Sequence, residues 1–280
     1  MAKPTRKSPR RKSPTTEREI ITPDDFAAEI RELDGNSESA NFLFYGDPDS
    51  GKTTLIGSAA RSLILACEPG YISASRYWQR QGIDVGPRKI RIVNNSAMLL
   101  AGLDWLEGGG WKKFKWVILE GATSLESRVR LGYAAEAFDA NPAKRVHRNL
   151  PDKPDYFNTQ NYLRGVIPRL VDLPVNTIVT AHAMRLTDDD GNRIVMPSFQ
   201  QSDGALSNFV CGMMHVVGHM KKVRNKKEKR LTRRILFSER IDPDSGTRYV
   251  AKDQFDVLPR IMTDTSMPEI MKHIGKNEET

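Results

Sequence analysis

Residues 42–54 read Phe-Leu-Phe-Tyr-Gly-Asp-Pro-Asp-Ser-Gly-Lys-Thr-Thr. An apolar run suited to a buried strand leads into a loop bounded by two glycines, and a Lys-Thr pair opens a helix. Glycines let such a loop curl until its backbone N–H groups converge on one point, where they make an anion site. The positive end of the helix dipole adds to the attraction. Gly46, Asp47, Pro48, Asp49, Ser50 and Gly51 are therefore read as a cradle for phosphates. Lys52 would reach the outer phosphates, Thr53 would offer its hydroxyl to a magnesium ion, and Thr54 would complete the nucleotide-binding run. The pattern arises by chance in a chain of this length on the order of once in a hundred. A nucleotide triphosphate, taken as ATP with Mg2+, is the ligand this spacing implies.

A magnesium site of this kind also needs a carboxylate on a neighbouring strand end. Residues 116–120, Trp-Val-Ile-Leu-Glu, have that form. Glu120 is expected to serve the metal, the alternative being that it merely starts a loop. Hydrolysis further needs a group that orients or deprotonates water. Glu68 directly follows an apolar run at 63–67, and His182 ends another at 177–181. Both fall on the expected rim of the sheet, although a lone Glu or His at a strand end is often structural.

The rest of the chain sets these pieces in an α/β order. Strands are expected at 41–45, 63–67, 89–93, 116–119 and 177–181. Helices are expected at 52–62, 97–106, 125–138 and 158–171. Short apolar runs separated by helices imply parallel crossovers and a mainly parallel sheet. Residues 214–223 and 230–239 then flank a polar turn at 225–228, which reads as a β-hairpin, and 248–252 is a further strand candidate. Ser266 is placed to cap a last helix ending near Gly275. The expected organisation is a basic tail over 1–20, a helix and linker over 21–40, an α/β core over 41–262 that includes the hairpin at 214–239, and a terminal helix and tail over 263–280. Residues 185–207 read as a mobile loop in which Phe199 either stacks on a base or anchors the loop to the core.

Charge points to a partner. The 280 residues carry a formal net charge of +8, but it is unevenly placed. Residues 1–14 hold six basic residues and no acid, and 221–234 hold nine against Glu228, so the remainder is net acidic by six. An acidic body with two basic patches suits a polyanion held at two places. Lys221, Lys222, Arg224, Lys226, Lys227, Lys229, Arg230, Arg233 and Arg234 are the candidates for contact with a nucleic-acid backbone. The bland alternative is a solubilising tail and a solvated hairpin. No apolar run approaches a membrane span of about 20 residues, and Cys67 and Cys211 lack metal-ligand spacing. A reduced, cytoplasmic setting is expected.

Taken together, these residues resemble the RecA-fold ATPases, and more narrowly the small phage RecA-like ATPases described as single-strand annealing proteins. The likeness runs over about residues 40–262. It rests on the 46–53 loop, on Leu65-Ala-Cys-Glu68-Pro-Gly70 and on Val117-Ile-Leu-Glu120-Gly-Ala-Thr-Ser-Leu125. It continues through Leu173-Pro174 and Thr180-Ala-His182 to Ala251-Lys252-Asp-Gln254 and Leu258-Pro259. The resemblance implies that Glu68 is the catalytic glutamate, that Glu120 stands at the Walker B aspartate, and that His182 senses the γ-phosphate. It also implies that Lys252 reaches the nucleotide of a neighbouring subunit in a ring or filament. The implied partners are single-stranded DNA, further copies of this chain and a single-strand DNA-binding protein. Two positions depart from the pattern. The Walker B acid is Glu120, followed by Gly121 where Ser is common, and Gln254 stands where an arginine is common. Both departures favour the alternative of a nucleotide-gated DNA-binding module or loader with little turnover. Another motor, such as a helicase, and a small-molecule kinase are further alternatives.

Overall fold

The first strand, β1 (Asn41–Tyr45), is buried along its whole length. Its residues alternate between two apolar layers, as strand geometry requires. Leu43 and Tyr45 join one layer, Phe42 and Phe44 the other. In this computed structural model the described residues are 39–188, 190–199, 204–225, 230–243 and 245–275. The expected tail at 1–20, the expected helix and linker up to residue 38, Lys226, Lys227, Lys229 and residues 276–280 lie outside them.

After β1 come α1 (Lys52–Ile56), β2 (Ser62–Ala66), α2 (Ile72–Arg80), β3 (Arg88–Ile92) and α3 (Ser96–Glu107). There follow β4 (Trp116–Glu120), α4 (Ala122–Ala140), α5 (Lys153–Val171) and β5 (Asn176–Ala181). The last part holds β6 (Ala183–Thr187), β7 (Arg193–Pro197), α6 (Ala205–Met213), β8 (Val216–Asn225) and β9 (Arg230–Leu236). Four short strands, β10 (Arg240–Ile241), β11 (Arg248–Tyr249), β12 (Lys252–Asp253) and β13 (Ile261–Thr263), precede α7 (Met267–His273).

The main sheet runs β13-β9-β8-β1-β5-β4-β2-β3, with β12 paired to the start of β8. From β3 to β8 every pairing is parallel; β9, β12 and β13 add antiparallel edges. This is the mainly parallel α/β sheet, with a later antiparallel hairpin, that the sequence implied. Its central strands are buried on both faces, as parallel sheets are. One apolar layer takes Leu65, Val117 and Val179 from the sheet against Leu103, Val129 and Ile167 of α3, α4 and α5. The other takes Ile64, Ile118 and Ile178 against Leu55 of α1 and Ile270 of α7. Local signals hold the helix starts. Asn95 Oδ1 accepts from Met98 N, and Ser266 and Glu269 form a capping box. No helix among the described residues is long and apolar enough to cross a membrane.

Three expectations need correction. The helix expected over 52–62 stops at Ile56. Gly57 packs so closely on α2 that a Cβ there would lie 2.6 Å from Ala74 O, and the chain turns to enter β2. The segment read as a mobile loop is instead the β6–β7 hairpin followed by α6. Within it Phe199 is fully buried in the core, so it is an anchor and not a base-stacking residue. The single strand expected at 248–252 is two short strands in different sheets, β11 joining β7 and β12 joining β8. The helix α2 had no counterpart in the sequence reading.

Candidate nucleotide site

The loop after β1 has two residues in left-handed backbone, Asp49 at φ 64° and Gly51 at φ 100°. Glycine takes that conformation freely, whereas an aspartate there carries some strain. Lys52 Nζ lies across the loop, donating to Gly46 O at 2.8 Å and Asp47 O at 3.0 Å. Burial holds its pKa below the usual lysine value, against the opposing pull of Glu68, Asp47 and Glu120. Arriving phosphates would give this half-desolvated cation a stronger partner than carbonyl oxygens.

Neighbouring strands wall the loop in. The Gly46 Cα abuts the carbonyl of Met220 in β8, leaving no room for a side chain. A Cβ on Gly51 would meet Arg233 Cδ of β9 at 2.5 Å. Both loop aspartates are tied to basic residues: Asp47 to Arg185 of β6 through two bonds of 2.8 and 3.2 Å, and Asp49 to Lys222 of β8 at 2.5 Å. The Arg185 contact holds the Asp47 pKa below the usual carboxylate range.

Thr53 Oγ1 donates to Glu120 Oε1 at 2.7 Å, which brings the two expected magnesium ligands together. Glu120 Oε2 is buried with no hydrogen-bond partner. Burial pushes the Glu120 pKa up to about 7; the Thr53 bond opposes this and the nearby Glu68 charge adds to it. A buried carboxylate oxygen without a partner, next to a threonine hydroxyl, is a hard oxygen donor set of the kind Mg2+ takes. Among the described residues no cluster of three or more His, Cys, Asp or Glu could hold a metal. Thr53 and Glu120 would therefore share the ion with phosphate oxygens and water.

Glu68 sits beside this pair. Its Oε1 accepts from Ser124 Oγ at 2.7 Å and lies 3.2 Å from His182 Nε2. Strands β2, β4 and β5 are adjacent, so their ends deliver Glu68, Glu120 and His182 to one rim. The Glu68 side chain crosses Gly121, where a Cβ would meet Glu68 Cγ at 2.6 Å. Gly121 is also at φ 83°. A serine at 121 would be strained and would displace Glu68, which explains that departure physically. The contribution of Ser124 was missed; its only sequence signal is a hydroxyl one turn into the helix after Glu120. His182 is seated through its backbone N–H, which donates to Thr123 Oγ1.

Other expected site residues fall elsewhere. Lys252 Nζ donates to Met214 O at 2.7 Å and Gly212 O at 3.3 Å, capping the end of α6 within the same chain. Arg233, expected to face nucleic acid, is buried: its guanidinium stacks on Tyr77 at 4.2 Å and meets Asp264. With Lys222 bound to Asp49, two of the hairpin's basic residues serve the nucleotide loop and are not free for a polyanion. Arg224 is exposed, and Arg230 lies 3.4 Å from Asp264. Burial pushes both thiols, Cys67 and Cys211, up to about 12, so they are inert.

No curated protein matches the sequence. One similar solved structure is a KaiC-like protein from the hyperthermophilic archaeon Pyrococcus horikoshii OT3. It is 13% identical, with 75% of this chain and 89% of that chain covered and a TM-score of 0.37, a likeness that says nothing further of this chain. The family described as AAA domain matches residues 38–255, the stretch that holds the phosphate loop, Glu68, Glu120 and His182. With a P-loop in the required strand–loop–helix setting and a match over most of its length, the chain belongs to the AAA domain family.

Proposed function

We propose that the protein is a RecA-like ATPase that acts on single-stranded DNA in phage recombination or replication, annealing or pairing strands. ATP would lie with its phosphates on residues 46–52, and Thr53 and Glu120 would hold Mg2+. The metal, when bound, neutralises charge developing on the phosphates. Glu68, oriented by Ser124 and His182, would take the proton of an attacking water, and His182 would contact the outer phosphate. The observation that most supports the reading is the convergence of Lys52, Thr53, Glu120, Glu68 and His182 at one rim. The basic β8–β9 hairpin beside the same loop supports DNA as the partner. Further copies of this chain and a single-strand DNA-binding protein complete the proposal.

One observation favours a second reading, a nucleotide-gated loader with little turnover. Lys252, the cation proposed to act on a neighbour's nucleotide, is engaged with the end of α6, and Gln254 cannot replace an arginine finger. Steady-state ATP hydrolysis with and without single-stranded DNA separates the two. Wild type is expected to be stimulated by DNA. Lys52→Ala should lose ATP binding while staying folded. Glu68→Gln should bind ATP and slow hydrolysis by roughly 100-fold or more. Unstimulated, negligible turnover in wild type would select the loader, and unchanged ATP affinity in Lys52→Ala would remove the basis of both.

A further inference from the structure

Strand alternation sorts the hairpin's basic residues onto two faces. Lys222 and Arg233 are cross-strand partners and face the nucleotide loop, where Asp49 and Asp264 hold them. Lys221 and Arg234 are the adjacent pair and face the other way. They face the second sheet, ordered β10-β11-β7-β6. Between that sheet and β8–β9 runs a groove formed by two adjoining cavities that share His219, Lys221 and Tyr249. The larger is about 420 Å³ and reaches Asp47 in the nucleotide loop; the smaller, lined by Arg234 and Arg240, is about 50 Å³.

We infer that this groove is the path of a single-stranded nucleic acid, with Arg193, Lys221, Arg234 and Arg240 on its phosphates and Tyr249 beside a base. The inference rests on the proposed DNA partner and specifies where on the chain it binds. These four cations come from four different strands, β7, β8, β9 and β10. Arg193, Arg234 and Arg240 have no ion-pair partner among the described residues. The lining acids are Asp47, bound to Arg185, and Asp242. The floor adds no charge, because burial pushes His219 down to about 4.

A row of arginines alone would also suit an acidic peptide. The aromatic Tyr249 in its lining favours a nucleic acid. Tyr249 lies 4.9 Å from His219, which in turn lies 5.0 Å from Tyr45, and Lys221 Nζ is 5.5 Å from the Tyr249 ring centre. Half-buried and held between His219 and Lys221, Tyr249 sets an aromatic group beside cations, the two elements that single-strand sites combine.

The test measures binding of an oligothymidine of about 20 nucleotides to the full chain and to Arg193→Glu/Arg240→Glu, across salt concentrations. Neither arginine is in an ion pair among the described residues, so folding and ATP affinity should be kept. Each lost phosphate contact removes about 0.7 from the logarithmic salt slope, so losing two should flatten it by about 1.4 and weaken binding at least about 25-fold at about 0.1 M salt. As a measurement that needs no variant, photo-crosslinking of a bromouracil-containing oligonucleotide to wild type should label the peptide containing Tyr249. If wild type binds the oligonucleotide and the double variant binds it equally well, the groove is not the path, while the DNA partner stands. Binding of polyglutamate in place of the oligonucleotide would overturn the inference in favour of an acidic protein partner. No binding of single strands by wild type would overturn both the groove and the proposed function.

Discussion

Replacing Glu120 by Gln should stabilise the protein at alkaline pH while abolishing its use of Mg2+. Glu120 is 2% exposed and one of its oxygens has no partner. Its pKa is raised from 4.5 to about 7, chiefly by burial. A folded-state pKa above the unfolded one means the native protein keeps a proton that the unfolded chain has released. Stability from this group is thus full below pH 4.5, falls as pH rises towards about 7, and is flat beyond. At about 1.4 kcal/mol per pH unit the loss is under about 1 kcal/mol near pH 5 and about 3 kcal/mol near pH 8. Glutamine keeps the acceptor for Thr53 and cannot ionise, so the variant avoids that loss. The stability difference between variant and wild type should therefore widen in the variant's favour by about 2 kcal/mol between those pH values, roughly 4–8 °C in melting temperature for a domain of this size. Chemical denaturation without metal or nucleotide, from about pH 5 to about pH 9, measures it. A difference that stays constant with pH would refute the reasoning, because it would mean that Glu120 is not held protonated by burial. In wild type, Mg2+ and ATP should bind with release of a proton near pH 7, which calorimetry in buffers of different ionisation enthalpy detects.

Two further substitutions test how the neighbouring strands hold the loop. Gly46→Ala would press a methyl group against the Met220 carbonyl. It should cost about 1–3 kcal/mol and weaken ATP binding, and a variant matching wild type in both denaturation and ATP titration would show that β8 does not fix the loop. Arg233→Ala would remove the Tyr77 stack and the Asp264 contact. It should destabilise by about 2–4 kcal/mol and leave affinity for single-stranded DNA unchanged; normal stability with lost DNA binding would return Arg233 to the role its charge first suggested.

The nucleotide loop was legible in the sequence because its chemistry is local. The glycines, Lys52 and Thr53 lie within one turn of chain, and the backbone conformation they need is set by neighbours in sequence. The strand ends carrying Glu68, Glu120 and His182 were also legible, since buried parallel strands are apolar runs and a polar residue ending one stands out. That these three share a rim followed only from the strand order, which places β2, β4 and β5 side by side. Ser124 could not be assigned before that order brought it within 2.7 Å of Glu68.

The basic hairpin shows where local reasoning stops. Its charge was plain, but nine cations between residues 221 and 234 say nothing about what lies opposite each. Tertiary packing put Asp49 and Asp264 against one face of the hairpin and the second sheet against the other. Alternation then made Arg233 a buried structural residue and left Arg234, its neighbour, half-exposed beside a small cavity facing the second sheet. The same held for 185–207, whose polar and glycine-rich composition suggests a loop. It forms the β6–β7 hairpin and α6 because Val195, Met196, Phe199 and Leu206 find a core built by distant parts of the chain. The sequence alone determined the phosphate-binding chemistry, through short-range backbone and charge requirements. Only the tertiary structure decided which cations are free, because a side chain's partner is set by whatever the fold lays against it.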